Sequence, residues 1–447
     1  MAKNKPAFEC SSCGHREPKW IGRCPQCGEW NTFSEASPLP DPPRGRSPGT
    51  EGFSQPLSAI DLGRDGEVRF ISAIGEFNRV LGGGIMKGSS ILVGGEPGIG
   101  KSTLMLQAAD SFPPPGRVLY VSGEETPGQL KLRAVRLGVS REVEVFCEAE
   151  LERIIKVLDN LKPLLVIVDS IQTVYSPLVG AYPGVPNQLR CCCHELIEWA
   201  RLHGAAVFLV AHITKEGLIA GPKVIEHMVD TVLYFDSSAT DVRFLRASKN
   251  RFGSVDEIGL FTMTEEGLKE VRNPSTLFLV RRTEALPPGI ATVPVHEGSR
   301  VLLMEIQALT VPAQGGLSRC SSDRIDPRRV SRIAAVLEKH IGIKFSDQDL
   351  YINVAGGINL KETGIDLALA LALYSARTGL PLPGGTAAAG EISLAGEIHP
   401  IPHLDRRIKT CRELGFHRIV GPPPAESLPD YLPALSLKEA ISLVFQS

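Results

Sequence analysis

Residues 94–103 read "GGEPGIGKST" and contain the spacing Gly95-x4-Gly100-Lys101-Ser102. Glycines at that interval let successive backbone amides turn toward one point, a lysine delivers positive charge there, and a neighbouring hydroxyl can ligate a divalent cation. Triphosphate binding is the chemistry that uses such a set. On this reading Gly95, Glu96, Pro97, Gly98, Ile99 and Gly100 wrap the β-phosphate, Lys101 neutralises the β and γ charges, and Ser102, followed by Thr103, holds Mg2+. Hydrolysis also requires an acid near the metal and a group that orients water. "LLVIVDS" ends an apolar run at Asp169, suited to the Mg2+ shell, and "YVSGEE" ends another at Glu124 and Glu125, where a carboxylate can orient the water.

Two further constellations carry chemistry. Cys10-x2-Cys13 and Cys24-x2-Cys27 form two knuckles, each followed by a glycine, and four thiolates close tetrahedrally on Zn2+ with no open position, so the metal is structural. A segment of roughly 30 residues has too little apolar surface to fold without such a staple. Lys19, Trp20, Arg23 and Trp30 leave it an aromatic and cationic surface suited to nucleic acid or to a neighbouring domain. The stretch "RASKNRFGSVDE" then sets Lys249, Asn250 and Arg251 on a Phe252-Gly253 corner, either a solvated loop or a cationic corner reaching for a phosphate. Cys191, Cys192, Cys193 and His194 are no metal site, because consecutive helical residues diverge by about 100°.

The elements that must position these residues alternate. Short apolar runs ("SILVGG", "RVLYVSG", "LLVIVDS", "AAVFLVAH", "DTVLYF") are separated by helix-length segments, the pattern of an α/β fold whose mostly parallel sheet is covered by helices. Residues 36–49, "ASPLPDPPRGRSPG", read as an extended linker, and from about residue 289 strand-like and helical patterns define a separate α+β unit. The expected division is a four-cysteine zinc finger at 1–34, a linker at 35–56, an ATPase domain at 57–273, a linker at 274–288 and the α+β unit at 289–447. Charges nearly cancel, 48 Lys plus Arg against 50 Asp plus Glu, so a polyanion must be met by local patches. Met1 to Cys10 has no apolar core of signal-peptide length and no run approaches the roughly 18 apolar residues of a membrane span, so a cytoplasmic protein with no membrane partner is expected.

These segments resemble the bacterial RadA/Sms family, whose core is similar to RecA and whose tail is similar to Lon protease. The resemblance is carried by "PKWIGRCPQCGEWNTF", "RVLGGGIMKGSSILVGGEPGIGKST", "LYVSGEET", "VIVDSIQTV", "HITKEGLIAGPKVIEHMVDTVLYF", "KNRFGS" and "LLMEIQAL", spanning nearly the whole chain. It implies a RecA-like P-loop ATPase core with a Lon protease-like C-terminal domain. It also implies a DNA-stimulated ATPase of DNA repair and recombination, using ATP/ADP, Mg2+ and structural Zn2+. Single-stranded and branched DNA would be bound by a homo-oligomer, a hexameric ring, which promotes branch migration after strand invasion by a RecA filament.

Carried over by residue, the resemblance makes 95–103 the ATP loop, Asp169 the second acidic motif, Glu124 the water-activating base, and Lys249, Asn250, Arg251, Phe252 and Gly253 the signature pentapeptide. In ring ATPases a neighbour's cations reach the γ-phosphate, so Lys249 and Arg251 are candidate fingers, with phosphate contacts to DNA as the rival role. The loop ending in Arg190 and the loop carrying Lys215 and Lys223 occupy places resembling RecA's DNA loops, with ordinary connections as the alternative. His212 is either a γ-phosphate sensor or a core histidine. In the tail, Gly364-Ile365-Asp366 stands where a Lon-type serine is expected and Asp405 where its lysine is expected, so no proteolysis is expected. Arg328, Arg329 and Arg332 form either a duplex-facing surface or a solvated helix face. The alternatives to a motor are a nucleotide-switched DNA-binding scaffold and a Ser-Lys protease.

Overall fold

The computed structural model describes residues 8–10, 16–25, 28–35, 68–179, 182–212, 224–237, 242–271, 278–279, 286–313, 318–357, 359–424, 426 and 428–446. The Pro-rich linker, Cys13, Cys27, Lys215 and Lys223 lie outside them. Two compact units emerge, one of residues 1–237 with 243–270, the other of 238–242 with 271–447.

The first unit is organised by nine strands: β1 (Ser90–Gly95), β2 (Val118–Ser122), β3 (Glu144–Phe146), β4 (Leu165–Asp169), β5 (Ala206–His212), β6 (Thr231–Ser237), β7 (Val242–Asn250), β8 (Ile258–Thr264) and β9 (Gly267–Glu270). Their order across the sheet is β9-β8-β7-β6-β1-β5-β4-β2-β3. From β6 to β3 the pairings are parallel, and β6 with β7 and β8 with β9 are antiparallel. The strands β1, β2 and β4 are buried throughout, as strands covered on both faces must be. Alternation divides them between two cores. Ile91 and Val93 pack with Phe77, Leu104, Met105, Phe112 and Phe208, while Leu92 packs on the other side with Ile154, Leu158, Leu196 and Trp199. Fully burying each such side chain contributes roughly 1.5–3 kcal/mol, so the strand positions are fixed by many independent contacts.

The covering helices are α1 (Lys101–Asp110), α2 (Pro127–Arg136), α3 (Leu151–Leu161), α4 (Pro186–His203) and the short α5 (Val224–Met228). Start and stop signals are local: Thr126 and Gln129 close a capping box around Pro127 at the start of α2, and Gly204 at φ 64° ends α4. Cys192 and Cys193 are buried in α4, where burial pushes the Cys192 thiol up to about 12. They are core residues, not ligands.

In the second unit a seven-stranded mixed sheet, order β12-β13-β11-β10-β14-β15-β16, is built from β10 (Ile290–Glu297), β11 (Arg300–Pro312), β12 (Cys320–Ser322), β13 (Gln348–Val354), β14 (Thr386–Ala388), β15 (Arg418–Gly421) and β16 (Tyr431–Pro433). It packs with α6 (Pro327–Ile341), α7 (Asp366–Thr378), α8 (Leu404–Glu413) and α9 (Leu437–Phe445). Residues 367–373 of α7 are all fully buried, so this helix is apolar on every side. Its first residue, Asp366, is also fully buried, with Arg329 Nε at 3.1 Å and Arg332 Nη2 at 3.4 Å. Arg329 therefore turns inward, which corrects its expected place on a DNA-facing or solvated surface: a buried carboxylate requires a counter-charge.

Candidate nucleotide site

The loop between β1 and α1 is shaped by its glycines. Gly98 at φ 78° and Gly100 at φ 114° occupy the left-handed region, and a Cβ on Gly95 would stand 2.7 Å from the Phe235 carbonyl oxygen. Larger residues would displace the loop from β6. Lys101, the first residue of α1, is 4% exposed, and its Nζ donates to the carbonyls of Gly95 at 2.7 Å and Glu96 at 2.9 Å. Burial lowers its pKa, and the charges of Asp169 and Glu124 oppose that shift. Ser102 and Thr103 follow, partly exposed, on the first turn of α1.

Sheet order brings the acids to this loop. Register pairs Gly95 with His212, Val210 with Asp169, and Asp169 with Ser122, so the carboxyl ends of β1, β5, β4 and β2 stand side by side. His212 Nδ1 is 3.3 Å from Lys101 Nζ, and its Nε2 is 3.6 Å from Glu124 Oε1. The same Glu124 oxygen accepts from the Ser170 hydroxyl at 2.6 Å. Asp169 Oδ2 accepts from the Tyr120 phenol at 2.5 Å, and burial together with the Asp169 charge pushes the Tyr120 pKa well up, so the phenol stays a donor. Glu125 turns away into an ion pair with Arg133 of α2 at 2.6 Å, and its pKa is raised, by burial first. Lys101, Glu124 and Asp169 are thus brought together, and His212 joins them.

Tyr120 escaped the sequence reading, and Ser170 stood in it only as the neighbour of Asp169. The available signal was a tyrosine inside an otherwise aliphatic buried strand, since a buried phenol needs an acceptor.

The pentapeptide lies toward the opposite ends of the strands, level with the start of β1. Asn250 pairs with Thr231, which pairs with Ile91 near the start of β1, so four residues of strand, ~13 Å, separate that level from Gly95. Lys249 Nζ donates to the carbonyls of Glu226 at 2.9 Å, His227 at 3.2 Å and Val229 at 2.6 Å. Burial lowers its pKa, and Arg251 adds to that. Asn250 Nδ2 donates to Val80 O at 3.2 Å, and its Oδ1 accepts from Phe252 N at 2.9 Å. The Arg251 side chain is 58% exposed and lies 3.4 Å from Asp230 Oδ1. The Phe252 carbonyl accepts from Arg69 Nη2 at 2.8 Å. Gly253 is needed for space more than for a special backbone angle: a Cβ there would stand 2.7 Å from Gly82 Cα.

Arg190 is exposed on α4, and Tyr182, just ahead of that helix, is 83% exposed. In the cysteine head, Cys10 and Cys24 are buried with Phe33, and Cys10 Sγ lies 3.1 Å from Thr32 Oγ1. Two buried thiols over so small an apolar cluster fit a metal-stapled knuckle pair, although no described group of three or more His, Cys, Asp or Glu converges on a metal.

A phosphate loop on a central strand, flanked by acids at the carboxyl ends of adjacent parallel strands, defines a RecA-like P-loop ATPase. Family models match at 8–35 (rubredoxin metal binding domain), 67–217 (AAA domain) and 325–424 (subunit ChlI of Mg-chelatase, a Lon-like domain). Curated proteins described as DNA repair protein RadA are similar over most of their length. That of Treponema pallidum is 52% identical, covering 94% of this chain and 92% of its own. That of Bacillus subtilis is 45% identical (94% and 93%), and that of Brucella abortus 44% (94% and 92%). A KaiC-like protein of Pyrococcus horikoshii is similar at 17% identity and TM-score 0.39, over 46% of this chain and 99% of its own. The chain belongs to the RadA family of DNA repair proteins and is an ATPase with an N-terminal zinc ribbon.

Proposed function

We propose that this protein hydrolyses ATP at seams between identical subunits of a ring, a hexamer, and uses the cycle to move or regrip single-stranded DNA in branched recombination intermediates. The product is branch migration that extends strand exchange begun by a RecA filament, in the cytoplasm. No helix among the described residues is long and apolar enough to cross a membrane. The observation that carries the seam is the separation of charge: the ATP loop stands at the carboxyl ends of the parallel strands and the exposed Arg251 at the level of their amino ends. One chain cannot bring the two together, whereas adjacent copies can.

The positive-φ glycines and the buried ammonium of Lys101 suit the loop to a triphosphate, with Ser102 and Asp169 holding Mg2+. A Mg2+ ion held by those two residues would offset negative charge on the phosphates. Tyr120 commits one Asp169 oxygen and so fixes the carboxylate's orientation. Glu124, held by Ser170, orients the attacking water, and His212 links that acid to Lys101. Arg251 of a neighbour stabilises the transition-state charge, a contribution of about 10³–10⁵ in turnover. Arg190, Lys215 and Lys223 meet DNA phosphates. Cys10, Cys13, Cys24 and Cys27 hold structural Zn2+, and the C-terminal domain, without serine at Gly364 or lysine at Asp405, assembles or binds rather than cleaves.

Subunit mixing tests the seam. Lys101→Ala and Arg251→Ala are each expected to lose DNA-stimulated ATP turnover. Mixed and reassembled, they are expected to regain part of it, because some seams pair an intact Lys101 with an intact Arg251. Mixtures no more active than either variant would refute the arrangement.

A further inference from the structure

The cysteine head carries two of the chain's three tryptophans, and both stand in solvent: Trp20 is 53% exposed and Trp30 67%, whereas Trp199 is buried in α4. A single exposed aromatic needs no explanation, but two that border one residue do. The second knuckle sets them there. Its two arms pair antiparallel, with Arg23 bridged to Trp30, Asn31 N donating to Gly22 O at 2.7 Å and Cys24 N donating to Glu29 O at 2.8 Å. Trp20 precedes the first arm and is held by its indole N–H, which donates to Phe33 O at 3.0 Å. The polar handle of that ring is spent on the backbone, and half of its surface is left to solvent.

Gly22 lies between the two rings. A Cβ there would stand 3.9 Å from Trp20 Cη2 and 3.9 Å from Trp30 Cε3 and Cζ3, so a carbon at that point touches both indoles at ordinary van der Waals distance. The glycine leaves the point open. Charge accompanies the rings: the exposed Arg23 has its guanidinium 5.8 Å from the centre of the Trp30 ring and its Nε donating to Gly28 O at 3.0 Å, and Lys19 is exposed beside Trp20. Every nucleobase has a π face and every nucleotide a phosphate, so paired indoles flanked by cations match single-stranded nucleic acid in both respects. A dry protein interface closed over the rings would bury the Arg23 charge, whereas a phosphate beside a stacked base pairs with it.

We infer that Trp20 and Trp30 form a base-stacking site, in which one nucleobase of single-stranded DNA enters over Gly22 while Arg23 and Lys19 meet the adjoining phosphates. This rests on the reading above that the protein grips single-stranded DNA, and it adds a contact to a base face where that reading assigns phosphate contacts alone.

Fluorescence anisotropy of the full-length, zinc-loaded protein with two labelled strands of equal length tests this, one oligo(dT) and one abasic, with the same phosphates and no bases. Trp30→Ala is expected to weaken oligo(dT) binding about five- to 150-fold, the range for one stacked base, and to leave abasic binding unchanged. Equal losses on both strands would overturn the inference, and so would wild-type affinity for oligo(dT), which would leave the rings to a protein partner. Gly22 has no positive φ to bar a side chain, so Gly22→Val keeps both indoles and fills the point between them. It is expected to lose oligo(dT) affinity too, and unchanged binding would show that no base enters there. Arg23→Gln is expected to reduce the log–log salt slope by about 0.7 on both strands, and Trp30→Ala to leave it unaltered; the reverse pattern would overturn the assignment. Zinc content is measured for each variant, because Trp20→Ala strands the Phe33 carbonyl and can unfold the head, in which case Trp30 and Gly22 carry the decision. If the wild-type protein binds neither strand, the proposed function fails and this inference with it. If it binds both strands equally tightly, the function stands and the inference alone falls.

Discussion

The ATPase core and the C-terminal unit both gather acids and cations beside a glycine-bearing turn that enters a helix, yet they arrange them in opposite ways. At the phosphate loop, Lys101, Glu124, Asp169 and His212 are spread over four strand ends, and Glu124 and His212 are partly exposed. In the C-terminal unit, Arg407 is 1% exposed and grips Glu362 through both carboxylate oxygens at 2.8 and 2.6 Å, and Asp366 is enclosed by Arg329 and Arg332. Charges at the first site face one another incompletely and can accept a ligand; at the second, Arg407 and Glu362 close on each other through two hydrogen bonds. On the proposed function the same residue types serve reaction in one place and architecture in the other, and the bidentate closure of Arg407 on Glu362 separates the second from the first.

If the comparison holds, removing a charge costs rate in the core and stability in the tail. Glu124→Gln is expected to lower ATP turnover by about 10²–10⁴, read in a steady-state phosphate-release assay, with little change in urea denaturation. Arg407→Met strands the Glu362 carboxylate and is expected to cost about 3–5 kcal/mol, read as an earlier urea midpoint for the C-terminal unit. An unaltered midpoint would show that the pair is not closed. Tyr120→Phe frees Asp169 Oδ2 and removes one hydrogen bond to a charged group, about 1.5–3 kcal/mol. It is expected to raise the Mg2+ concentration needed for half-maximal turnover several-fold and to weaken Mn2+ binding measured by electron paramagnetic resonance. The smallest effect is expected from Gly364→Ser with Asp405→Lys, which should produce no casein hydrolysis. A Cβ at Gly364 lies 3.7 Å from Arg407 Nη1, so a new hydroxyl would face a guanidinium already bound to Glu362.

The parts legible in the sequence were those whose logic is local. The phosphate loop, the acids closing two apolar runs, the knuckle spacing and the alternation of strand with helix each need only a few neighbouring residues to be recognised. The environment of Lys249 was hidden, because its acceptors lie some twenty residues upstream and a single extra residue in β7 determines where it points. Arg329 was hidden for the same reason: its helix has a polar face, and only the buried Asp366 across from it shows that one arginine turns inward. Glu124 and Glu125 are adjacent and chemically alike, and Arg133 on α2 distinguishes them by claiming the second. Tyr120 required the β2–β4 neighbour relation, which no periodicity supplies.

The close approach of Gly82 and Gly253 makes two distant letters of the chain answer to a single vacancy. A methyl group on Gly82 would press to 2.9 Å against the Gly253 Cα, and one on Gly253 would come within 2.7 Å of the Gly82 Cα. Neither glycine can be exchanged on the strength of its own neighbours in the sequence. An alanine scan that found the pentapeptide's last residue intolerant would be measuring how tightly two main-chain turns rest on each other, and would say nothing about phosphate.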